Sequence, residues 1–339
     1  VEPPSSKNFT TRYTLASCLA GGRSIVRRPA VQDDAVALVR CCRDMGARIA
    51  ALDVGGREVE FTVANAGAVD RLEIVGFAAR PKLLRNDKAL NPGNAGAVFR
   101  MLLAVSALLP DVSWETDYHD SLGKRPNEHL LDGLRQLGVE VTARTTDGFL
   151  PIRLQGGVDR IKAHIKTEKE RLGKTVDEPY VLTISGEVSS QYTSALLFLA
   201  PLLDESLEIH VTGRLKSLPL IDSTRQVLSM AGVGVESSAE KHVHVVRRGQ
   251  AYAPRIWETN GDWPGASALL AAAAVVRGSR IRLTRLFQDE QGEKECVPFY
   301  ERMGCTMVSD VVPGVGEKLI FSAPESGVLT AAAVNGDLC

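Results

Sequence analysis

The sequence predicts an α/β protein: a two-domain, inside-out α/β barrel of repeated β/α units, with helices buried within each domain and sheets outside. Three observations carry this. A chain of 339 residues is long enough for about two domains. One helix-then-strand unit recurs along it, the signature of a repeat architecture. A second class of helix is apolar on nearly every face, which places it in an interior rather than on a surface.

The recurring unit is an amphipathic stretch that ends in glycine and runs into an alternating apolar segment. It reads VRCCRDMGARIA around Gly46, LLDGLRQLGVEV around Gly138, STRQVLSMAGVGVE around Gly232 and FYERMGCTMV around Gly304. Each copy is a helix stopped by a residue that needs positive φ, followed by a strand. The second class of helix comprises FTTRYTLASCLAGG, NAGAVFRMLLAVSALL, SSQYTSALLFLAPLL and DWPGASALLAAAAVVRG, rich in Ala and Leu. Sheets must surround such helices, and Arg153, Lys162, His164 and Lys166 are read as solvent-facing strand positions on sheets covered on one side. The charge-dense run between Gly156 and Tyr180 is read as a hairpin or loop excursion with a solvated face.

Three copies fill residues 6–258, taken as the first domain. The fourth begins after AYAPRIWETNGDWPG, so residues 1–5 and 259–339 form the second domain. Because LTAAAVNGDLC stops inside what reads as a further unit, that domain is expected to be incomplete at its C-terminal end.

Composition narrows the function. A chain that is 44% hydrophobic and 24% charged is neither disordered nor fibrous. Forty Lys and Arg against 41 Asp and Glu give no global attraction to nucleic acid or an acidic membrane, so any phosphate binding must be local. The longest apolar run, Ala268 to Val276, falls short of the roughly 18 to 20 residues that span a bilayer. No charged-then-apolar leader opens the chain, and a soluble protein is expected. Six cysteines, at 18, 41, 42, 296, 305 and 339, form no CxxC pair and match no zinc spacing. They are read as reduced thiols in a cytosol-like compartment.

Three helix starts could do chemistry. SSKNFTTR places Lys7, Asn8, Thr10 and Thr11 at a helix N-terminus with Arg12 inside the first turns, an anion site by residue type. NPGNAGAVFR flanks Asn94 with Gly93 and Gly96, which let a ligand approach the backbone, and Arg100 lies one turn inside. GEVSSQYTS offers Ser189, Ser190 and Gln191. Loops GKRP and LKSLP bring Lys124, Arg125, Lys216 and Ser217 beside prolines suited to a first helical turn, with their cations directed toward the helix starts. Arg125 can grip a carboxylate or phosphate with two parallel bonds. His129, between apolar neighbours, is read as helix packing.

Taken in order, these motifs resemble those of the 5-enolpyruvylshikimate-3-phosphate synthases, the 3-phosphoshikimate 1-carboxyvinyltransferases. SSKNFTTR is similar to the family's GSKS followed by Arg, NAGAVFR to NAGTxxR, GKRP to its basic-Arg-Pro motif, SSQYTSALLFLAPL to its SSQ segment and KSLPLID to SxPYID. NGDWPGASALLAAAA and the QG of DEQGEKE also match. The sister enzyme acting on UDP-N-acetylglucosamine shares the fold, but the Ser-Ser-Gln segment favours the shikimate branch. The resemblance implies two domains of three repeats, with helix N-termini converging on the cleft between them. It implies transfer of the enolpyruvyl group of phosphoenolpyruvate to the 5-hydroxyl of shikimate 3-phosphate, without metal or organic cofactor. Oligomeric state is not legible in the residues; a cytoplasmic monomer that closes two domains around its small-molecule substrates is the expectation.

Carried over by position, Lys7 would contact both substrates and move protons. Asn8, Arg12, Ser189, Ser190, Gln191 and Ser217 would bind shikimate 3-phosphate, while Asn94, Gly96, Arg125 and Gln191 would bind phosphoenolpyruvate. Arg100 would be structural. The chain departs from the family at Asn8 (Ser in the family), Leu220 (Tyr), Ala97 (Thr) and Met101 (Pro). The last two adjoin the pocket where glyphosate imitates phosphoenolpyruvate, so altered glyphosate sensitivity is expected. The family's catalytic Asp and Glu match positions beyond Cys339, leaving open a non-catalytic shikimate 3-phosphate-binding fragment. An enolpyruvyl transferase with another alcohol acceptor is the remaining alternative.

Overall fold

The computed structural model describes residues 1–78, 80–85, 89–286, 289–312 and 316–332. Nine α-helices are formed among them: α1 Lys7–Leu19, α2 Asp33–Asp44, α3 Gly96–Ser106, α4 Glu128–Gln136, α5 Val158–Arg171, α6 Ser190–Leu199, α7 Leu218–Met230, α8 Trp263–Ala274 and α9 Cys296–Arg302. The repeat is real at the level of the backbone. Helices α2, α4, α7 and α9 each run into Gly46, Gly138, Gly232 and Gly304, whose φ values of 100°, 80°, 87° and 94° a side chain would strain.

Two apolar helices, α6 and α3, are crossovers of βαβ units, which sets where their N-termini point. Strand Tyr180–Ser185 leads to α6 and pairs in parallel with Leu207–Thr212. The parallel bridge Leu90–Trp114 flanks α3 in the same way. Helix α1 differs: Ser5 before it is bridged antiparallel to Gly261, and Arg23–Arg27 after it pairs in parallel with Ile256–Glu258. At its far end α3 abuts Gly156 so closely that a Cβ there would collide with the Ala107 carbonyl. Gly157 N–H donates to that same carbonyl at 2.9 Å, capping the helix.

Helix α3 packs against α6, α1 packs against α2 and α7, and α7 joins α1 to α6, all inside sheets of five, three and four strands. Those strands show one buried face: Leu72 and Ile74 of Arg71–Val75 point inward, as do Leu182 and Ile184 of Tyr180–Ser185. Buried apolar side chains fall into two clusters, a large one from Phe9 to Trp257 and a small one from Trp263 to Phe321. The small cluster is carried by a three-stranded sheet of Arg280–Thr284, Gly316–Ser322 and Thr306–Val312.

Two expectations are corrected. Residues 158–171 form helix α5 rather than a hairpin or loop, so Lys162, His164 and Lys166 are helical, not strand positions. Ile161 and Ile165, one helical turn apart, are fully buried and anchor it, which the surrounding charge obscured. Arg153 does lie on a strand, Ile152–Gln155, exposed and paired with Asp111. Helix α8 is not buried on every face: Ala268, Ala271 and Ala272 are exposed and Val275 is 73% exposed. Among the described residues only one sheet, α9 and the short turn Gly292–Glu295 share its small core, so one side of α8 has no cover. Residues 333–339, including Cys339, lie outside the described residues.

Candidate functional site

Helix α1 begins with Ser6 as its cap, the Oγ accepting from Phe9 N–H at 3.5 Å and donating to Gln291 Oε1 at 3.1 Å. Lys7 is then the first helical residue, at the positive end of the helix dipole, where a cation is disfavoured. Its ammonium meets Asp34 Oδ2 at 2.6 Å. Asp34 sits in the first turn of α2, where a carboxylate is favoured.

The α3 start is built by a loop that Asn91 pins. Asn91 Oδ1 accepts from Gly93 N–H at 2.8 Å, and its Nδ2 donates to Asp117 at 2.9 Å. Arg40 donates to the Asn91 carbonyl at 2.8 Å. Gly96 opens α3 against Arg125: a Cβ there would stand 2.9 Å from Arg125 Nη1. Absence of a side chain at Gly96 lets the guanidinium lie along the helix start. Arg125 itself is exposed and touches Ser121 Oγ at 3.3 Å.

At α6, Ser189 is the cap and accepts from Gln191 N–H at 3.2 Å. Arg100, one turn inside α3, organises this start from below. It donates to Gln191 Oε1 at 2.8 Å, Ser189 Oγ at 3.4 Å, Asn127 Oδ1 at 3.0 Å and Pro126 O at 3.1 Å. Its guanidinium also lies 5.0 Å from the Tyr192 ring centroid. Burial lowers the Arg100 pKa from the usual guanidinium range.

Arg12 is placed differently from the expected ligand grip. It is 2% exposed and clamps α1 to α7, donating to Thr224 Oγ1 at 2.9 Å, Leu220 O at 3.0 Å and Asn8 O at 3.2 Å. Burial pushes its pKa down to about 10. Ser217 caps α7 in a left-handed conformation, φ 51°.

One cavity of about 680 Å³ brings together Lys7, Asn8, Asn94, Gly96, Arg125 and Gln191. Arg12, Ser189, Ser190 and Ser217 do not line it. The unburied residues of the three interior helices are Lys7 and Asn8 of α1, Ala97 of α3 and Gln191 of α6, and all four face this cavity. Met101 is 1% exposed and sits beneath the lining. Lys124 turns away to Asp120 at 2.6 Å, contrary to the expected inward direction. His129 packs edge-on to Tyr192 at 6.3 Å, in keeping with its packing role. A larger cavity of about 1050 Å³ lies at the opposite helix ends, lined by Leu19, Leu108 and Pro201. The start of α5, at Gly157 and Val158, lines it together with Arg80, Arg160 and Lys162, and none of the motif residues named above does.

Sequence reasoning missed Asp34, Arg40 and Tyr118 on the wall. Two acidic residues opening an amphipathic helix read as ordinary dipole matching, and only the salt bridge to Lys7 gives Asp34 a second meaning.

Fold and cavity define an α/β protein of the enolpyruvyl-transferase architecture, with interior helices presenting their N-termini to one polar cavity. A family profile described as EPSP synthase (3-phosphoshikimate 1-carboxyvinyltransferase) matches residues 1–318. The chain belongs to the EPSP synthase family. The 3-phosphoshikimate 1-carboxyvinyltransferase of Deinococcus radiodurans is 40% identical over 306 residues, 90% of this chain and 60% of that relative. The one from Methanosarcina acetivorans is 31% identical over 313 residues, 92% of this chain and 64% of that relative. The chain thus spans 60 to 64% of the length of these relatives. A solved EPSP synthase from Acinetobacter baumannii superposes with a TM-score of 0.72 at 18% identity, covering 100% of this chain and 67% of that one. That likeness speaks to the fold.

Proposed function

We propose that the chain supplies the shikimate 3-phosphate side, and part of the phosphoenolpyruvate side, of a 3-phosphoshikimate 1-carboxyvinyltransferase. In that reaction phosphoenolpyruvate gains a proton at C3 while the 5-hydroxyl oxygen of shikimate 3-phosphate, losing its proton, bonds to C2. The tetrahedral adduct then expels phosphate from C2 and releases a proton from C3, restoring the enol double bond. The observation that carries this reading is the convergence of Lys7, Asn8, Ala97 and Gln191 on one cavity beside Arg125. Cations, helix N–H groups and amides are what two phosphates and two carboxylates require.

Within this proposal Lys7 contacts both ligands and is the proton-transfer group. Asn8, Arg12, Ser189, Ser190, Gln191 and Ser217 serve shikimate 3-phosphate, with Ser189 and Arg12 needing to exchange the protein bonds described above for ligand bonds. Asn94, Gly96, Arg125 and Gln191 serve phosphoenolpyruvate, and Ala97 alters the response to glyphosate. The division between residues 6–258 and the remainder is supported by the two apolar clusters. A cytosol-like compartment is supported by Cys18, Cys41, Cys42 and Cys305 standing buried as free thiols, and monomeric action completes the proposal. No helix among the described residues is long and apolar enough to cross a membrane.

The test is inorganic phosphate release when both substrates are added to the 339-residue chain. Release that depends on both supports a transferase. Saturable uptake of shikimate 3-phosphate without release supports a binding module. Failure of both would overturn the assignment of the acceptor.

A further inference from the structure

The cavity wall carries charges of both signs, which an anion site does not need. Lys7 Nζ stands 2.6 Å from Asp34 Oδ2, and the two side chains are 46% and 22% exposed. Neither placement is accidental in physical terms. Lys7 opens α1, where the backbone N–H groups repel a cation, and a lysine left alone there would turn to solvent. Asp34 opens α2, where the backbone favours its charge, and it is the more enclosed partner. Its neighbour Asp33 lines the same cavity from an exposed position and is not the lysine's partner.

We propose that Asp34 is the resting counter-ion of Lys7. It is a positioning residue that holds the ammonium on the cavity wall and competes for it with incoming anions. A small anion must displace Asp34 with little else to gain. A ligand that also reaches Asn94, the Gly96 helix start, Arg125 and Gln191 replaces the lost ion pair with several bonds made together. Asp34 thereby sets the site against lone inorganic phosphate. The significance of that discrimination rests on the reading of the preceding subsection, where inorganic phosphate is the product that must leave.

The test measures how fast Lys7 is acylated by an N-hydroxysuccinimide acetate, located by peptide mass spectrometry, with increasing inorganic phosphate. The folded full chain is compared with D34N, D34E and D33N. The exposed Lys166, 76% accessible on α5, is the internal reference, and a thermal melt verifies folding. A lysine paired with a carboxylate must leave it to react, so D34N should label Lys7 roughly two- to fivefold faster, the scale of a partly exposed ion pair. Phosphate should protect Lys7 in D34N at severalfold lower concentration than in the parent. D34E should move both readouts back toward the parent, and D33N should leave them there.

An unchanged Lys7 rate or phosphate midpoint in D34N overturns the proposal, as does the same change in D33N. If D34N does not fold, a parent-like Lys7 rate and phosphate midpoint in D34E support the proposal, and a faster rate with an earlier midpoint overturns it. A separate arm with shikimate 3-phosphate distinguishes the two readings. Should that ligand fail to protect Lys7 in any variant while D34N behaves as expected, the counter-ion role stands and the substrate assignment falls.

Discussion

Arg100 of α3 donates to Gln191 of α6 across 2.8 Å, so the single unburied residue of one interior helix is held in place by a buried cation from another. Arg100 is 8% exposed and spends its other donors on Asn127, Ser189 and Pro126. Replacing it with alanine leaves those acceptors without their donor and opens a cavity at the junction of α3, α4 and α6. An unfolding free-energy loss of about 3 to 5 kcal/mol is expected, the range for breaking a buried charged network. Urea denaturation measures it. Q191A, by contrast, should change stability by less than about 1.5 kcal/mol, the scale of one hydrogen bond. Equal losses in the two variants would oppose a hierarchy in which Arg100 supports Gln191.

Arg12 gives the second prediction. Its three bonds to Thr224, Leu220 and Asn8 tie α1 to α7. Arg12→Met keeps much of the volume but removes these bonds, and should cost about 2 to 4 kcal/mol. A variant that melts like the parent would remove the clamp and favour a purely ligand-directed arginine.

Gly96→Ala separates backbone from site. Alanine suits a helix better than glycine by up to about 1 kcal/mol, and the obstacle to its Cβ is the mobile end of Arg125 rather than backbone. The variant should fold with near-parent stability while displacing the Arg125 guanidinium. Affinity for a carboxylate or phosphate ligand should fall about tenfold, in line with loss of one charge-assisted contact of about 1.4 kcal/mol. Parent-like affinity in a folded variant would show that Arg125 does not need the space above Gly96.

His244 makes stability depend on acid. It is fully buried, and burial first, then Arg225, push its pKa down to about 4. In the unfolded chain it titrates near 6.5. Between these values the unfolded state binds more protons, so stability rises with pH across that window. The contribution is fully present above about pH 6.5 and is lost as pH falls toward 4, with a total of up to roughly 3 kcal/mol. Denaturation midpoints at several pH values should therefore show a slope that flattens in H244Q. Burial raises the pKa of Asp289, which acts in the opposite sense, making the folded state gain stability as acid is added. D289N should steepen the acid loss, and an unaltered profile in both variants would rule out these two groups as its source.

The interior helices were legible because their apolar residues cover every face, and the repeats because Gly46, Gly138, Gly232 and Gly304 each stop a helix. The same logic hid α5, whose apolar anchors Ile161 and Ile165 are outnumbered by charge. It also over-read α8, since composition reports apolarity but not which neighbours are present to cover it. At the site, Lys7, Asn94, Arg125 and Gln191 were found through helix starts and motif order. Arg12 was legible as a cation near a helix start but not as a clamp, because its partners at Leu220 and Thr224 lie some two hundred residues away in sequence. Asp34 was invisible for the same reason of context: an acidic first turn is ordinary until a lysine from another helix meets it.

The central claim is that the starts of α1, α3 and α6 form one ligand site. Calorimetric titration of the 339-residue chain with shikimate 3-phosphate tests it most directly, with Lys7→Ala and Gln191→Ala in parallel. The account predicts saturable binding by the parent chain and at least about tenfold weaker binding in each variant, with cooperative melting preserved. Parent-like binding in both variants, or a cooperatively folded parent that takes up no shikimate 3-phosphate, would contradict it.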